Sequence, residues 1–205
     1  SASDRSATMG SERTPGWSRT LAASNDEGLI ERDRLLDALL GMLAADLPSG
    51  RAGWYSRTLR MLSMTLDEAE ARQGALCTLM SAPVGATVTV AVRQLSALSK
   101  AGRLDLELFA RSCEGALMGS KANALAALTI LRGGLSSVES ADLEGLLGVA
   151  LSFPHAQVQG LAIELASDVL RSGLLDSAAV GRLLSDAELD PLVVATLDLL
   201  DPGHT

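Results

Sequence analysis

The sequence predicts an all-α fold: an α-solenoid of stacked antiparallel helix pairs, with about five repeats and ten to eleven helices. Three observations predict it. Apolar residues make up 47% of the 205 residues and aromatics only 2%, so a core must be built from Leu, Ala, Val, Ile and Met. Leu and Ala are strong helix formers, and strand formers are scarce. Second, a leucine recurs at Leu21, Leu59, Leu95, Leu131, Leu165 and Leu199, with gaps of 38, 36, 36, 34 and 34. Self-similarity at that period is what stacked helix pairs leave in a sequence. Third, other features repeat with the leucines. Val90-Ala91, Ala126-Ala127 and Val194-Ala195 stand just before three of these leucines, small enough for close helix approach. Gly102-Arg103-Leu104-Asp105 returns as Gly173-Leu174-Leu175-Asp176. Gly16-Trp17-Ser18-Arg19-Thr20-Leu21 nearly returns as Gly53-Trp54-Tyr55-Ser56-Arg57-Thr58-Leu59.

In chain order, residues 1–15 have almost no large apolar group and are expected as a disordered or extended arm. Residues 16–205 are expected as one helical repeat domain. Helices are expected at 17–24, 26–44, 53–64, 66–80, 84–100, 105–117, 121–132, 141–152, 155–171, 176–185 and 190–200. Asn25-Asp26-Glu27 suits a helix start, where acids complement the dipole. Thr65 with Glu68 fits a capping box. Asp105 and Asp176 suit N-caps. Gly102, Gly119, Gly133 and Gly173 suit helix stops, and Gly41 sits awkwardly inside a helix. The uncharged run from Gln73 to Val92 is long enough to span a bilayer. Pro83 and its neighbouring glycines divide it, so it is read as a helix, a turn and the next helix. The 190–200 segment is nearly all apolar. It suits a chain that continues beyond Thr205, or an end that packs on something else. Ser1 is not an initiator methionine, which points to a processed, tagged or excised piece.

The net charge is −8 and unevenly placed. Residues 134–205 hold only Arg171 and Arg182 against eleven acids. An acidic surface repels phosphate, so neither nucleic acid nor membrane is the expected partner. The acidic third instead suits a protein partner with a basic surface. Cys77 and Cys113 are isolated in apolar stretches, which suggests buried thiols, a reducing compartment and a cytoplasmic location. The Arg-, Ala-, Gly-, Leu- and Asp-rich composition matches a high-GC bacterial genome.

The run Thr65-Leu66-Asp67-Glu68-Ala69-Glu70, then Ser81-Ala82-Pro83-Val84, then residues 91–105 resembles HEAT-type repeats. So does the stretch from Phe153-Pro154-His155 to Leu165. Over roughly half the chain, residues 58–170, it resembles an uncharacterised group of long bacterial HEAT-like proteins. The resemblance implies an α-solenoid that binds protein, carries over no catalytic residue, and suits a fragment of a longer chain.

Signatures of chemistry are sparse. There is no GxSxG, HExxH or phosphate loop, and Gly119-Ser120-Lys121 has the wrong spacing for one. His155 at a helix start is expected to cap or to face solvent. Asp198, Asp201 and His204 share a spacing of three, but a fraying end is a poor place for a metal site. No cofactor, metal or catalytic site is expected. Trp17, Trp54, Tyr55, Arg57 and Arg60 are the candidate protein-binding residues, because aromatics and arginine most often anchor interfaces. Trp54, Tyr55, Arg57 and Arg60 are expected on or near one helical stripe or its flank. The expected function is a non-catalytic scaffold or adaptor holding a protein partner. The alternatives are an accessory subunit of an enzyme complex and a small-molecule-binding helical domain.

Overall fold

The computed structural model describes residues 16–45 and 47–200, with side chains described as far as residue 195. The expected arm at 1–15 lies outside the described residues, as do Asp201, His204 and the side chains of Asp198 and Leu199. Among the described residues the secondary structure is entirely helical. The helices are α1 (Trp17–Asp26), α2 (Arg32–Ala44), α3 (Ser49–Leu62), α4 (Leu66–Glu70), α5 (Gln73–Thr78), α6 (Gly85–Lys100), α7 (Leu106–Ser112), α8 (Glu114–Leu117), α9 (Lys121–Gly133), α10 (Ser140–Leu151), α11 (Ala156–Arg171), α12 (Ser177–Asp186) and α13 (Pro191–Leu200). Two 3-10 turns, Leu79–Ser81 and Leu135–Ser137, complete them.

Thirteen helices replace the expected ten to eleven because two expected segments are broken. The 66–80 segment splits into α4 and α5 at Arg72, whose backbone leaves the helical region. The 105–117 segment splits into α7 and α8 at Cys113. Gly115 follows that break and lies against the 3-10 turn; a Cβ there would sit 2.5 Å from the Met80 carbonyl oxygen. Only glycine permits that approach of two backbones. Asn25 and Asp26 do not start a helix. They end α1, and Gly28 follows with a φ of +71°. The next helix starts later, with Glu31 as its N-cap. The left-handed glycine overrides the preference of Asn-Asp-Glu for a helix start.

The helices pack in two rows. α1 packs on α3, α3 on α6, α6 on α9, α9 on α11 and α11 on α13. In the other row α2 meets α5, α5 meets α7, and α8 meets α10, which meets α12. The leucines of the ladder all fall on the first row. Leu59, Leu95, Leu131 and Leu165 are fully or almost fully buried, and Leu21 is half-buried. Val90, Ala91 and Ala127 are buried beside them, whereas Val194 and Ala195 of α13 are exposed. Burial of each leucine contributes about 1.5–3 kcal/mol relative to exposure.

The recurring turn has one geometry. Gly102 and Gly173 have φ of +68° and +71°. After each, two backbone bonds close the helix: Arg103 N–H to Leu98 O and Gly102 N–H to Ser99 O, matched by Leu174 N–H to Val169 O and Gly173 N–H to Leu170 O. Asp105 and Asp176 then cap the next helix, accepting from Leu108 N–H at 2.9 Å and Ala179 N–H at 2.7 Å. Gly119 and Gly133 lie at helix ends without the left-handed conformation. Thr65 and Glu68 form the expected capping box.

Polar side chains cross from one pair to the next. Gln73 Nε2 donates to Arg103 O, and its Oε1 accepts from Asp105 N–H at 2.7 Å. Gln159, almost fully buried, repeats this chemistry with Glu188 O and Asp190 N–H and also donates to Leu151 O. Each amide presents the donor and acceptor that a strand edge would, so a turn is held without a sheet. Arginines cross the same interval. Arg32 binds Glu68 and the Leu62 carbonyl, Arg72 binds Asp33 and Asp37, and Arg103 binds Asp67 and Glu70. Arg132 binds Glu164 and Asp168, and Arg182 binds Glu144. Cys77 and Cys113 are buried as expected; burial raises their thiol pKa to about 11 and about 12. No described helix is long and apolar enough to cross a membrane.

Candidate binding surface on one helix row

The first row differs from the second in its charges. α3 and α6 together carry Arg51, Arg57, Arg60, Arg93 and Lys100 and no acid. α9 adds Lys121 and Arg132, again without an acid. Among the described residues, Arg19, Arg51, Arg57, Arg60, Arg93, Lys100 and Lys121 make no ion pair. All seven lie on α1, α3, α6 or α9. Arg132 is the exception on those helices, held by the two carboxylates of α11.

A groove of about 490 Å³ runs between α3 and α6. Arg60 and Arg93 flank it, and Met64, Val90, Ala86 and Ala97 give it an apolar floor. Thr89 and Gln94 add neutral polar groups. Local structure holds both walls. Ser18 and Thr58 hydroxyls meet at 2.7 Å between α1 and α3, and Ser56 and Thr87 at 3.3 Å between α3 and α6. Both pairs are buried, so they fix the register of neighbouring row helices. Ser63 ends α3 with a φ of 47°, and its hydroxyl donates to the Arg60 carbonyl at 3.3 Å.

The sequence candidates separate on this scaffold. Trp17 stands at the start of α1 and is 76% exposed. Trp54 is half-buried, its ring edge-on to Tyr55 with centroids 4.8 Å apart. Tyr55 packs against the core. At 100° per residue Tyr55 points well away from Arg60, toward the core. Arg57 and Arg60 are exposed. Arg60 meets residues that single-helix reading passes over: Met64, Val90, Arg93 and Gln94. The signal for Arg93 was present, because it follows Arg57 by 36 residues, the gap between Leu59 and Leu95.

His155 caps α11, its Nδ1 accepting from Gln157 N–H at 3.2 Å. A second cleft, of about 810 Å³, opens on the other row against α8, α10 and α12. Met118, Val149, Phe153 and Leu183 line it, with Glu114 and Glu144 among the polar groups. Ser152, which also lines the second cleft, donates its hydroxyl to Gly148 O at 2.9 Å.

A family model described as a domain of unknown function (DUF6493) matches residues 2–124. No curated protein and no solved structure matches the chain.

Proposed function

We propose that this chain, which belongs to the family of the domain of unknown function DUF6493, is a non-catalytic protein-binding scaffold built as a HEAT-like α-solenoid of stacked antiparallel pairs. Two packed rows joined by short turns, with buried leucines one period apart, support the architecture. A single observation carries the functional reading. The unpaired cations of the described residues gather on one row, while arginines elsewhere are held by carboxylates. Charges left without a partner on a rigid surface are available to one. Exposed Trp17 at the edge of the same row adds an aromatic of the kind that anchors interfaces. The acid-edged cleft at α8, α10 and α12 suits a basic element of a partner, in keeping with the acidic last third.

The test is affinity capture from the native host with mass spectrometry. Proteins retained by the unaltered chain are compared with those retained by Trp17→Ala/Arg57→Ala/Arg60→Ala. A specific protein should be kept by the first and depleted by the second. Identical retained sets would remove this row as the binding face, and turnover of a substrate by the purified chain would sink the scaffold reading.

A further inference from the structure

The cleft on the second row has an apolar lining and acidic charges. Val149, Phe153 and Leu183 lie half-buried in it, and Met118 beside them is 68% exposed. The charged residues that line it are Glu114 and Glu144. Glu114 makes no ion pair among the described residues, and Glu144 meets only Arg182, at 3.4 Å. An exposed contact of that kind contributes little and is readily exchanged. An adjoining hollow of about 350 Å³ shares Glu114, Gly145 and Val149 with the cleft and reaches Arg111 of α7 and Asp142 of α10. Asp142 has no ion pair, and Arg111 is already held by Glu107. The two concavities thus make one trough lined by α7, α8, α10 and α12, with three acids along it.

The lining selects its occupant. The walls are helices, whose backbone groups bond internally, so no strand edge is offered for an extended peptide to join. Proline-rich segments dock in grooves lined by several aromatic rings, and Phe153 is the one ring in this lining. Phosphorylated segments and nucleic acid are repelled by the carboxylates. The remaining mode is an amphipathic helix laid with its apolar face in the trough. Exposed methionine suits such a surface, because its flexible side chain adapts to the side chains it receives. Gly145 leaves the α10 surface low and open: a Cβ there would meet nothing within 4 Å. An arriving helix can approach closely at that point.

We infer that the trough across α7, α8, α10 and α12 binds a basic amphipathic helix of a partner protein. Its apolar side chains rest on Met118, Val149, Phe153 and Leu183, and its lysines or arginines meet Glu114, Asp142 and Glu144. The inference rests on the scaffold reading and names the partner element that this cleft takes.

Fluorescence anisotropy with the whole chain tests it. The probes are a labelled (Leu-Lys-Lys-Leu-Leu-Lys-Leu)2 peptide, whose leucines fall on one helical face, a labelled peptide of the same composition with leucine and lysine alternating as in a strand, and the helical pattern with glutamate in place of lysine. The helical basic peptide should bind tightest. Glu114→Lys/Glu144→Lys should weaken it about tenfold, as two exposed ion pairs predict. Met118→Asp, at an exposed position that the fold tolerates, should weaken it by a similar factor through the lost apolar contact. Asp26→Lys/Glu27→Lys makes the same change of net charge on α1 and should leave binding nearly unchanged. Circular dichroism of each variant confirms that the fold persists. Equal binding of the strand-patterned peptide, or binding that survives both cleft variants, overturns the inference. So does an equal loss from the α1 reversal, which would reduce the attraction to net charge. Self-association of the unaltered chain in sedimentation, abolished by Met118→Asp, would assign the trough to a second copy and overturn it too. If the peptide fails to bind while a specific partner is still captured through the first row, the scaffold reading survives without this site.

Discussion

From α1 to α6 the two helix rows use arginine in opposite ways, and only beyond α6 do Arg132 and Arg171 of the first row find carboxylates. On the second row and in the turns, Arg32, Arg72, Arg103 and Arg182 reach carboxylates 33 to 39 residues away in sequence. On the first row, Arg19, Arg57, Arg60 and Arg93 reach none among the described residues. The same residue type thus joins helices on one side and stays open on the other. Placement decides the role: an arginine helps hold the packing only where a neighbouring helix offers an acid. Stability and binding should therefore be separable by mutation.

The largest effect tests the polar clasps between helices. Gln159→Leu leaves Asp190 N–H, Leu151 O and Glu188 O without their amide partner. A buried group left unsatisfied costs about 1–3 kcal/mol, so urea unfolding should show a loss of about 3 kcal/mol for the set. A loss below 1 kcal/mol would mean that water replaces the amide. Next comes Arg32→Ala, which frees the Leu62 carbonyl and leaves Glu68 with the capping box alone. A loss of about 2 kcal/mol is expected at pH 7. The hydrogen bond from Arg32 is the main cause holding the Glu68 carboxyl below its ordinary pKa. A carboxyl lowered in the folded state stabilises above its unfolded value and loses that contribution as pH falls. The unaltered chain should thus lose stability more steeply below about pH 4.5 than Arg32→Ala, as thermal melts across pH 3–7 would reveal. The smallest effect lies on the open row. Arg57→Ala/Arg93→Ala should change stability by less than about 0.5 kcal/mol, since neither side chain has a partner to lose. A larger loss would show that these arginines also support the fold.

Much of the fold was legible because its cause is periodic. Leu59, Leu95, Leu131 and Leu165 are buried at the rungs, and Gly102 and Gly173 open identical turns. The broken helices were not legible. Residues 66–80 read as one helix despite Gly74 because a lone glycine is tolerated inside a helix, and the interruption at Arg72 accompanies its ion pairs to Asp33 and Asp37. The start of α2 was misplaced because Asn25-Asp26-Glu27 suits either side of a helix boundary, and Gly28 decides which. At the candidate surface, Trp17, Arg57 and Arg60 were legible as exposed, anchor-type residues. Tyr55 was not recognisable as half-buried against the core, and Arg93 emerged only when charges were indexed to the leucines.

The uneven placement of aromatics bears on how the molecule is watched unfolding. Its two tryptophans, Trp17 and Trp54, both sit on the first two helices of one row. Intrinsic emission is therefore a local thermometer for α1 and α3, silent about everything after α3. If the proposed repeat architecture holds, its units need not melt together. A midpoint from tryptophan emission that differs from the far-ultraviolet dichroism midpoint would show whether α1 and α3 let go before the rest, without a single label being added.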